Sequence, residues 1–206
     1  MTQNMFLQYG IIDGVTTYLE DYSEAEGGTE MLTPLLHEGF NITIRQDFVG
    51  LESVTILTGP PADDLGSWEQ VEELSFTAAD THFYLSTFDD VYRDPEWALP
   101  APGSYRVRVA TIGNWFGGPN QDPQQTDEDY ARECDDWWDY LEASPTTRFA
   151  LWIWPAPPTP PAVLRTLPAG REPGGNGVEL QEILDAYPEI DFPFHEYGRP
   201  HPKWTP

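Results

Sequence analysis

Cysteine and lysine are almost missing from this 206-residue sequence. Cys134 is the only cysteine, which excludes an intramolecular disulfide and a zinc site built from several cysteines. A single thiol fits a reducing compartment. Lys203 is the only lysine, and Lys and Arg together number 10 against 35 acidic residues. The formal net charge of -25 disfavours direct binding to nucleic acid or anionic membranes and favours a basic protein partner.

Long hydrophobic runs are also missing. No window approaches the roughly 18 apolar residues of a membrane span, and the first residues lack a basic segment followed by an apolar stretch. The sequence therefore predicts a cytoplasmic protein without membrane contact. Hydrophobic residues still make up 39% of the chain and aromatic residues 14%. This content is too high for a disordered acidic tail, so we expect a folded protein.

Short segments of alternating or aromatic-rich sequence recur between turn signals. Asp13 and Gly14 form one such signal and predict a hairpin turn. Because no regular strand–helix alternation is present, the pattern predicts a mainly β fold of the antiparallel sandwich or jelly-roll type. The predicted strands are 5–12, 15–22, 40–48, 51–58, 68–76, 81–88, 104–112 and 148–154.

Two other segments have a different character. Residues 121–143 place apolar side chains at helical spacing and predict an acidic helical insertion. The proline-rich stretch 155–161 cannot continue a central strand, although 163–167 can add an edge strand. We therefore expect a β domain over 1–167 that contains the insertion. A C-terminal extension, 168–206, follows with a short helix and a tail rich in proline and aromatic residues.

Two of the strand sequences carry a family resemblance. Residues 102–109 read PGSYRVRV, and residues 149–155 read FALWIWP. This pair resembles strands of uncharacterised bacterial β-sandwich proteins and of the competence protein J family of nuclease inhibitors. The resemblance implies a β-sandwich that inhibits a nuclease of DNA entry. No functional residue is transferred by it, because the matching positions suit packing in any sandwich.

The insertion holds the main candidate site for a protein partner. Carboxylates three or four residues apart on a helix repel one another, which disfavours the arrangement unless it has a use. Adjacent tryptophans cannot both point inward, so one ring is expected at the surface among carboxylates, as in a binding hot spot. The alternative is an ordinary solvated helix. The candidate residues are Asp127, Glu128, Asp129, Glu133, Asp135, Asp136, Trp137, Trp138 and Asp139, with Trp115 and Phe116 in a nearby loop.

Two further acidic clusters would extend this surface if the loops that carry them meet at one end of the fold. Calcium is a competing explanation for such clusters, but none has the spacing of a calcium-binding loop. We predict no metal site and no cofactor. The two clusters are Asp63, Asp64, Glu69, Glu72 and Glu73, and Asp89, Asp90, Asp94 and Glu96.

No catalytic signature is present, since the sequence lacks GxSxG, the P-loop and GxGxxG. We therefore expect a binding protein and not an enzyme. The leading hypothesis is an inhibitor or immunity protein that imitates nucleic acid and occupies a basic partner such as a nuclease or a defence factor. A carbohydrate-binding or hydrolytic protein that uses Trp97, Trp115 and Trp137, and a structural assembly component, stay open as alternatives. The oligomeric state is left undetermined.

Overall fold

The fold is known from a computed structural model. It describes residues 3–6, 11–15, 26–36, 38–44, 48–87, 91–113, 147–167, 194–195 and 199–200. These residues form strands and connecting segments, and no helix lies among them. The expected mainly β class is therefore confirmed. The insertion at 121–143 and nearly all of the extension at 168–206 lie outside the described residues.

A six-stranded sheet forms one part of the structure. Its strands follow the spatial order β1-β5-β10-β9-β6-β11. β9 shows why these sequences form strands, because Tyr105, Val107 and Val109 alternate with arginines and all three enter the core. The strands are β1 (Gln3–Phe6), β5 (Phe48–Ile56), β6 (Gln70–Ala78), β9 (Gly103–Ile112), β10 (Thr147–Pro155) and β11 (Ala162–Arg165).

A five-stranded antiparallel sheet forms the second part, in the order β3-β4-β2-β7-β8. A separate antiparallel pair, β12 and β13, lies near the C-terminus. The remaining strands are β2 (Ile11–Val15), β3 (Leu32–Pro34), β4 (Phe40–Thr43), β7 (His82–Thr87), β8 (Val91–Ala98), β12 (Phe194–His195) and β13 (Arg199–Pro200).

One strand pair corrects the expectation of a wholly antiparallel arrangement. β10 runs parallel to β5 and antiparallel to β9, so the six-stranded sheet is mixed. Parallel neighbours need a long crossover, and the chain between Ile56 and Thr147 provides it. Strand spacing alone did not reveal this pairing, because β5 and β10 are far apart in sequence.

Both large sheets contribute side chains to one hydrophobic core. Phe40 of β4 contacts Phe76 of β6 across the core, with ring centroids 5.0 Å apart at 62°. Phe83 of β7 lies 6.4 Å from the same Phe76 ring. These contacts connect the two sheets through buried aromatic rings, which provide a large share of the apolar burial.

The predicted turn at Asp13 and Gly14 is wrong. Both residues lie inside β2, where Gly14 pairs with Phe40 of β4 and with Leu85 of β7. A Cβ atom on Gly14 would lie 2.5 Å from Cζ of Phe40. Glycine is therefore needed here for a close approach of an aromatic ring to the backbone, which a local turn signal does not distinguish.

Substitution of Gly14 by alanine is expected to lower the free energy of unfolding by about 1–3 kcal/mol, because the fully buried Phe40 ring has little room to move. Gly59→Ala is the matched control, since its Cβ would meet nothing within 4 Å. That variant should stay within about 0.5 kcal/mol of the wild type in urea denaturation. Equal stability of both variants would contradict the steric explanation.

Other strand predictions differ in their boundaries. The segment 40–48 was expected to form one strand, but β4 ends at Thr43 and Phe48 begins β5 in the other sheet. The edge strand expected at 163–167 is confirmed as β11, at the end of the six-stranded sheet. β8 was expected to be an acidic loop, and its backbone is a strand paired with β7. In the parts of the chain described, no helix is long and apolar enough to cross a membrane.

Candidate functional site

The residues predicted to bind a partner lie outside the described part of the chain. This applies to all eleven candidates, nine in the predicted helix and two in the predicted loop, which are Asp127, Glu128, Asp129, Glu133, Asp135, Asp136, Trp137, Trp138, Asp139, Trp115 and Phe116. Their contribution therefore stays a prediction. The described residues instead show two features that the sequence pattern did not indicate, a buried arginine cluster and a cavity beside it.

The buried arginine cluster lies on the face of the six-stranded sheet opposite the core. Arg106 and Arg108 are each 6% exposed, and Glu73 on the neighbouring strand is 9% exposed. Arg106 Nε lies 3.1 Å from Glu73 Oε2, and Arg108 Nη2 lies 2.8 Å from Glu73 Oε1. Arg108 Nε also donates to Oε1, at 2.8 Å. One carboxylate thus binds two guanidinium groups.

Two chain segments cover the cluster and accept further hydrogen bonds from it. Arg106 Nη1 donates to the Thr159 carbonyl at 3.0 Å and to the Pro160 carbonyl at 2.9 Å. Arg108 Nη1 donates to the Ala62 carbonyl at 2.9 Å. The proline-rich stretch 156–161 therefore serves as a cover for this face, where its free carbonyls act as acceptors. This explains why alternating arginines, which suggest a solvated face, are buried.

The cavity lies next to Arg108, under the segment 61–68, and has a volume of about 210 Å³. Its floor consists of cross-strand neighbours, because Val71 pairs with Ala110 and Arg108 pairs with Trp152. Pro61, Leu65 and Trp68 contribute to its wall. The Trp68 and Trp152 rings meet edge to face, at 83° with centroids 6.1 Å apart. The cavity is therefore mainly apolar, and the buried Arg108 is one of the residues that line it.

The wall of the cavity is held in place by specific hydrogen bonds. Arg165 Nη1 on β11 donates to the Gly66 carbonyl at 3.1 Å and to the carbonyl of Trp68. The Gly66 amide donates to Asp64 Oδ1 at 2.9 Å, and Gly66 has a φ of 53°, which glycine adopts without strain. The segment is thus fixed to the sheet, so the cavity is preformed.

The acidic cluster predicted between Asp63 and Glu73 does not form one negative face. Consecutive residues on a strand point to opposite sides, so Glu72 and Glu73 on β6 face opposite sides of the sheet. Glu72 is 1% exposed and accepts hydrogen bonds from Met31 N at 3.0 Å and Gln70 Nε2 at 2.9 Å. The expectation of a shared surface is wrong for both residues, because each carboxylate is buried against its own donors.

Exposed carboxylates nevertheless outnumber free cations on the described surface. The described side chains include four arginines and no lysine, and each arginine has an acceptor: Arg148 pairs with Glu52 at 3.2 Å, and the other three were described above. Asp63 and Asp64 are exposed. The exposed carboxylates of the described part are Glu26, Glu30, Glu52, Asp63 and Asp64.

Asp80, in the turn between β6 and β7, also stays ionised. A backbone hydrogen bond from Thr81 lowers the pKa of the Asp80 carboxyl below its ordinary value, and contacts with the Thr81 hydroxyl and His82 act in the same direction. Together these interactions outweigh the effect of desolvation, which by itself would raise the pKa. The turn therefore adds a negative charge to the surface at neutral pH.

The alternative sites are only partly within the described residues. Trp97, considered as a sugar-stacking residue, packs against the core with its ring 6.0 Å from that of Phe83. The other two tryptophans considered for this role, Trp115 and Trp137, lie outside the described part. Among described residues, no group of three or more His, Cys, Asp or Glu side chains is placed to hold a metal ion.

Comparisons with known proteins give no family for this chain. No family model matches it, and no curated protein matches it. A solved structure described as "Crocagin biosynthetic gene J" is similar with a TM-score of 0.32 and 14% sequence identity, over 74% of this chain and 96% of that chain. A likeness at this level supports no conclusion about this chain's fold or activity.

Proposed function

We propose that this protein is an acidic inhibitor or immunity protein that binds a basic partner, such as a nuclease or a defence factor, and does not act as an enzyme. One observation carries the proposal: the four arginines whose side chains are described each have an acceptor within the protein, while carboxylates remain at the surface. The protein therefore presents negative charge outward, which speeds encounter with a positively charged surface and repels nucleic acid.

The sequence outside the described residues strengthens this proposal. Residues 127–139 contain seven carboxylates and one arginine, Arg132. On a helical insertion, such spacing would resemble a row of nucleic-acid phosphates. The resemblance of 102–109 and 149–155 to the competence protein J family supports a nuclease as the class of partner. Our proposal includes the finer fold, a sandwich or jelly-roll domain that carries this insertion, and residence in the cytoplasm.

The decisive experiment compares the salt dependence of binding for two variants with the same net charge. The first variant reverses three charges of the insertion, Asp135→Lys, Asp136→Lys and Asp139→Lys. The second reverses three charges elsewhere, Glu26→Lys, Glu30→Lys and Asp63→Lys, which are exposed. Both changes reduce the net charge equally, so a difference between them reports the position of the contact and not the overall field.

The expected result is capture of a basic nucleic-acid enzyme from host lysate at about 0.05 M salt, and its loss at about 0.5 M salt, because salt screens exposed charges. The purified partner should bind the insertion variant at least about tenfold more weakly than the wild type. The control variant should lose much less affinity for the partner. The wild-type protein should inhibit the partner's nuclease activity. Binding that is unaffected by salt and by both variants would refute the proposal.

A further inference from the structure

We propose that the cavity beside Arg108 binds a small carboxylate ligand with a planar apolar body. The carboxylate would contact the guanidinium of Arg108 on the floor, and the ring would lie against Trp152 and Trp68. This site is on the sheet face covered by residues 61–68 and does not involve the acidic insertion. It therefore goes beyond the proposed partner binding and does not depend on it.

The charge of the buried cluster favours an anion. Arg106 and Arg108 carry two positive charges, and Glu73 is the one carboxylate that pairs with them in the described structure. The cluster thus has one positive charge in excess. Burial of a charge without a counter-charge is unfavourable, so a ligand carboxylate at this position would complete the neutralisation.

The position of the cavity locates this demand at Arg108, because Arg108 lines the cavity and Arg106 does not. Arg106 Nη1 has four neutral oxygen acceptors, from Ser75, Thr159 and Pro160. Arg108 uses Nε and Nη2 toward Glu73 and Nη1 toward Ala62. A guanidinium has five N–H groups, so these three interactions leave one N–H on each terminal nitrogen of Arg108 without an acceptor among described residues. Both terminal nitrogens belong to a residue that lines the cavity.

The remaining lining favours an apolar ring. Trp68, Trp152, Val71 and Leu65 surround the space, and its volume of about 210 Å³ exceeds the about 150 Å³ of an apolar cavity that accommodates benzene. Two tryptophan rings at 83° offer one face and one edge to a planar guest. The combination of apolar walls with one orienting charge is typical of small-molecule sites.

A cationic ligand fits less well, although Asp64 also lines the cavity. Asp64 is exposed at the mouth and already accepts a hydrogen bond from Gly66, whereas Arg108 is 6% exposed. The interaction of a charge near water is weakened about fourfold relative to one in a protein environment with a dielectric constant of about 20. The buried guanidinium therefore dominates the preference for charge inside the cavity.

The test compares phenylacetate with phenylacetamide, which share the ring and differ in charge. Isothermal titration calorimetry on the full chain should show phenylacetate binding at least about tenfold more tightly than the amide, because charge-assisted hydrogen bonds to arginine are the stronger kind. Quenching of tryptophan fluorescence should follow the same titration. Equal affinity for the two compounds, or binding of neither, would overturn the proposal.

Variants then assign the effect to this cavity. Arg108→Gln should abolish the preference for phenylacetate, whereas Arg148→Gln removes the same charge from a half-exposed arginine and should keep it. If Arg108→Gln does not fold, Ala110→Leu provides the test. The larger side chain would occupy part of the cavity, and Arg108 would be unchanged. That variant should weaken phenylacetate binding at least about tenfold. A folded Arg108→Gln variant that retains the preference for phenylacetate, or a folded Ala110→Leu variant that binds phenylacetate as tightly as the wild type, would refute the assignment.

Discussion

Replacement of Glu73 by glutamine is expected to lower the free energy of unfolding by about 3–5 kcal/mol, the usual effect of removing one partner of a buried ion pair. Glutamine keeps the shape of the side chain but removes the charge that Arg106 and Arg108 share. Two guanidinium groups would then remain buried, each about 6% exposed, without a counter-charge. Urea denaturation, followed by tryptophan fluorescence, measures the change.

Glu52→Gln is the matched control for this prediction. Glu52 also pairs with an arginine, Arg148, at 3.2 Å, but the two side chains are 33% and 40% exposed. Exposed ion pairs contribute about 0–1 kcal/mol to the free energy of unfolding, since water already solvates both charges. Similar losses for Glu73→Gln and Glu52→Gln would show that the buried cluster is not a distinct source of stability.

Phe40→Ala is expected to lower the free energy of unfolding by about 3–5 kcal/mol, because it removes a fully buried ring and leaves a cavity between the sheets. Phe40 contacts Phe76 of one sheet and lies 6.1 Å from Phe83 in its own sheet. Leu36→Ala provides the control, since Leu36 is 58% exposed. Its effect should stay within about 0.5 kcal/mol.

A double-mutant cycle joins this prediction to the one for Gly14. In the Phe40→Ala background, the Cβ of Gly14→Ala no longer meets a ring, so the second substitution should have almost no further effect. The magnitude of the interaction free energy between the two positions is therefore expected to equal the effect of Gly14→Ala in the wild type, about 1–3 kcal/mol. Additive effects would mean that Gly14 is required for a reason other than its contact with Phe40.

The strand at 103–112 shows how far sequence reasoning extends. The alternation of Tyr105, Val107 and Val109 with arginine correctly predicts a strand and identifies the face that enters the core. The same pattern implies that the arginines face water, and they are buried. The difference arises because two segments that are distant in sequence cover that face: Ala62 is 46 residues from Arg108, and Thr159 is 53 residues from Arg106. Local periodicity contains no information about such a cover.

The acidic residues between positions 69 and 73, at and just before the start of β6, illustrate the same limit. In sequence, Glu69, Glu72 and Glu73 look like part of a solvated acidic cluster. In the structure, Glu69 accepts a hydrogen bond from Gly113 at 2.9 Å, and Glu72 and Glu73 are buried on opposite faces. A charged residue is buried only where donors from distant segments meet it, so its burial depends on the complete fold.

The sequence by itself determined the composition-dependent properties: strong negative charge, the absence of any intramolecular disulfide and a mainly β class, which follow from residue counts and local alternation. Only the tertiary structure decided the parallel pairing of β5 with β10, the glycine contact at Phe40, and the cavity beside Arg108. Each of these brings together residues that are distant along the chain. The physical reason is that periodicity specifies which side chains share a face, whereas long-range packing specifies what covers that face.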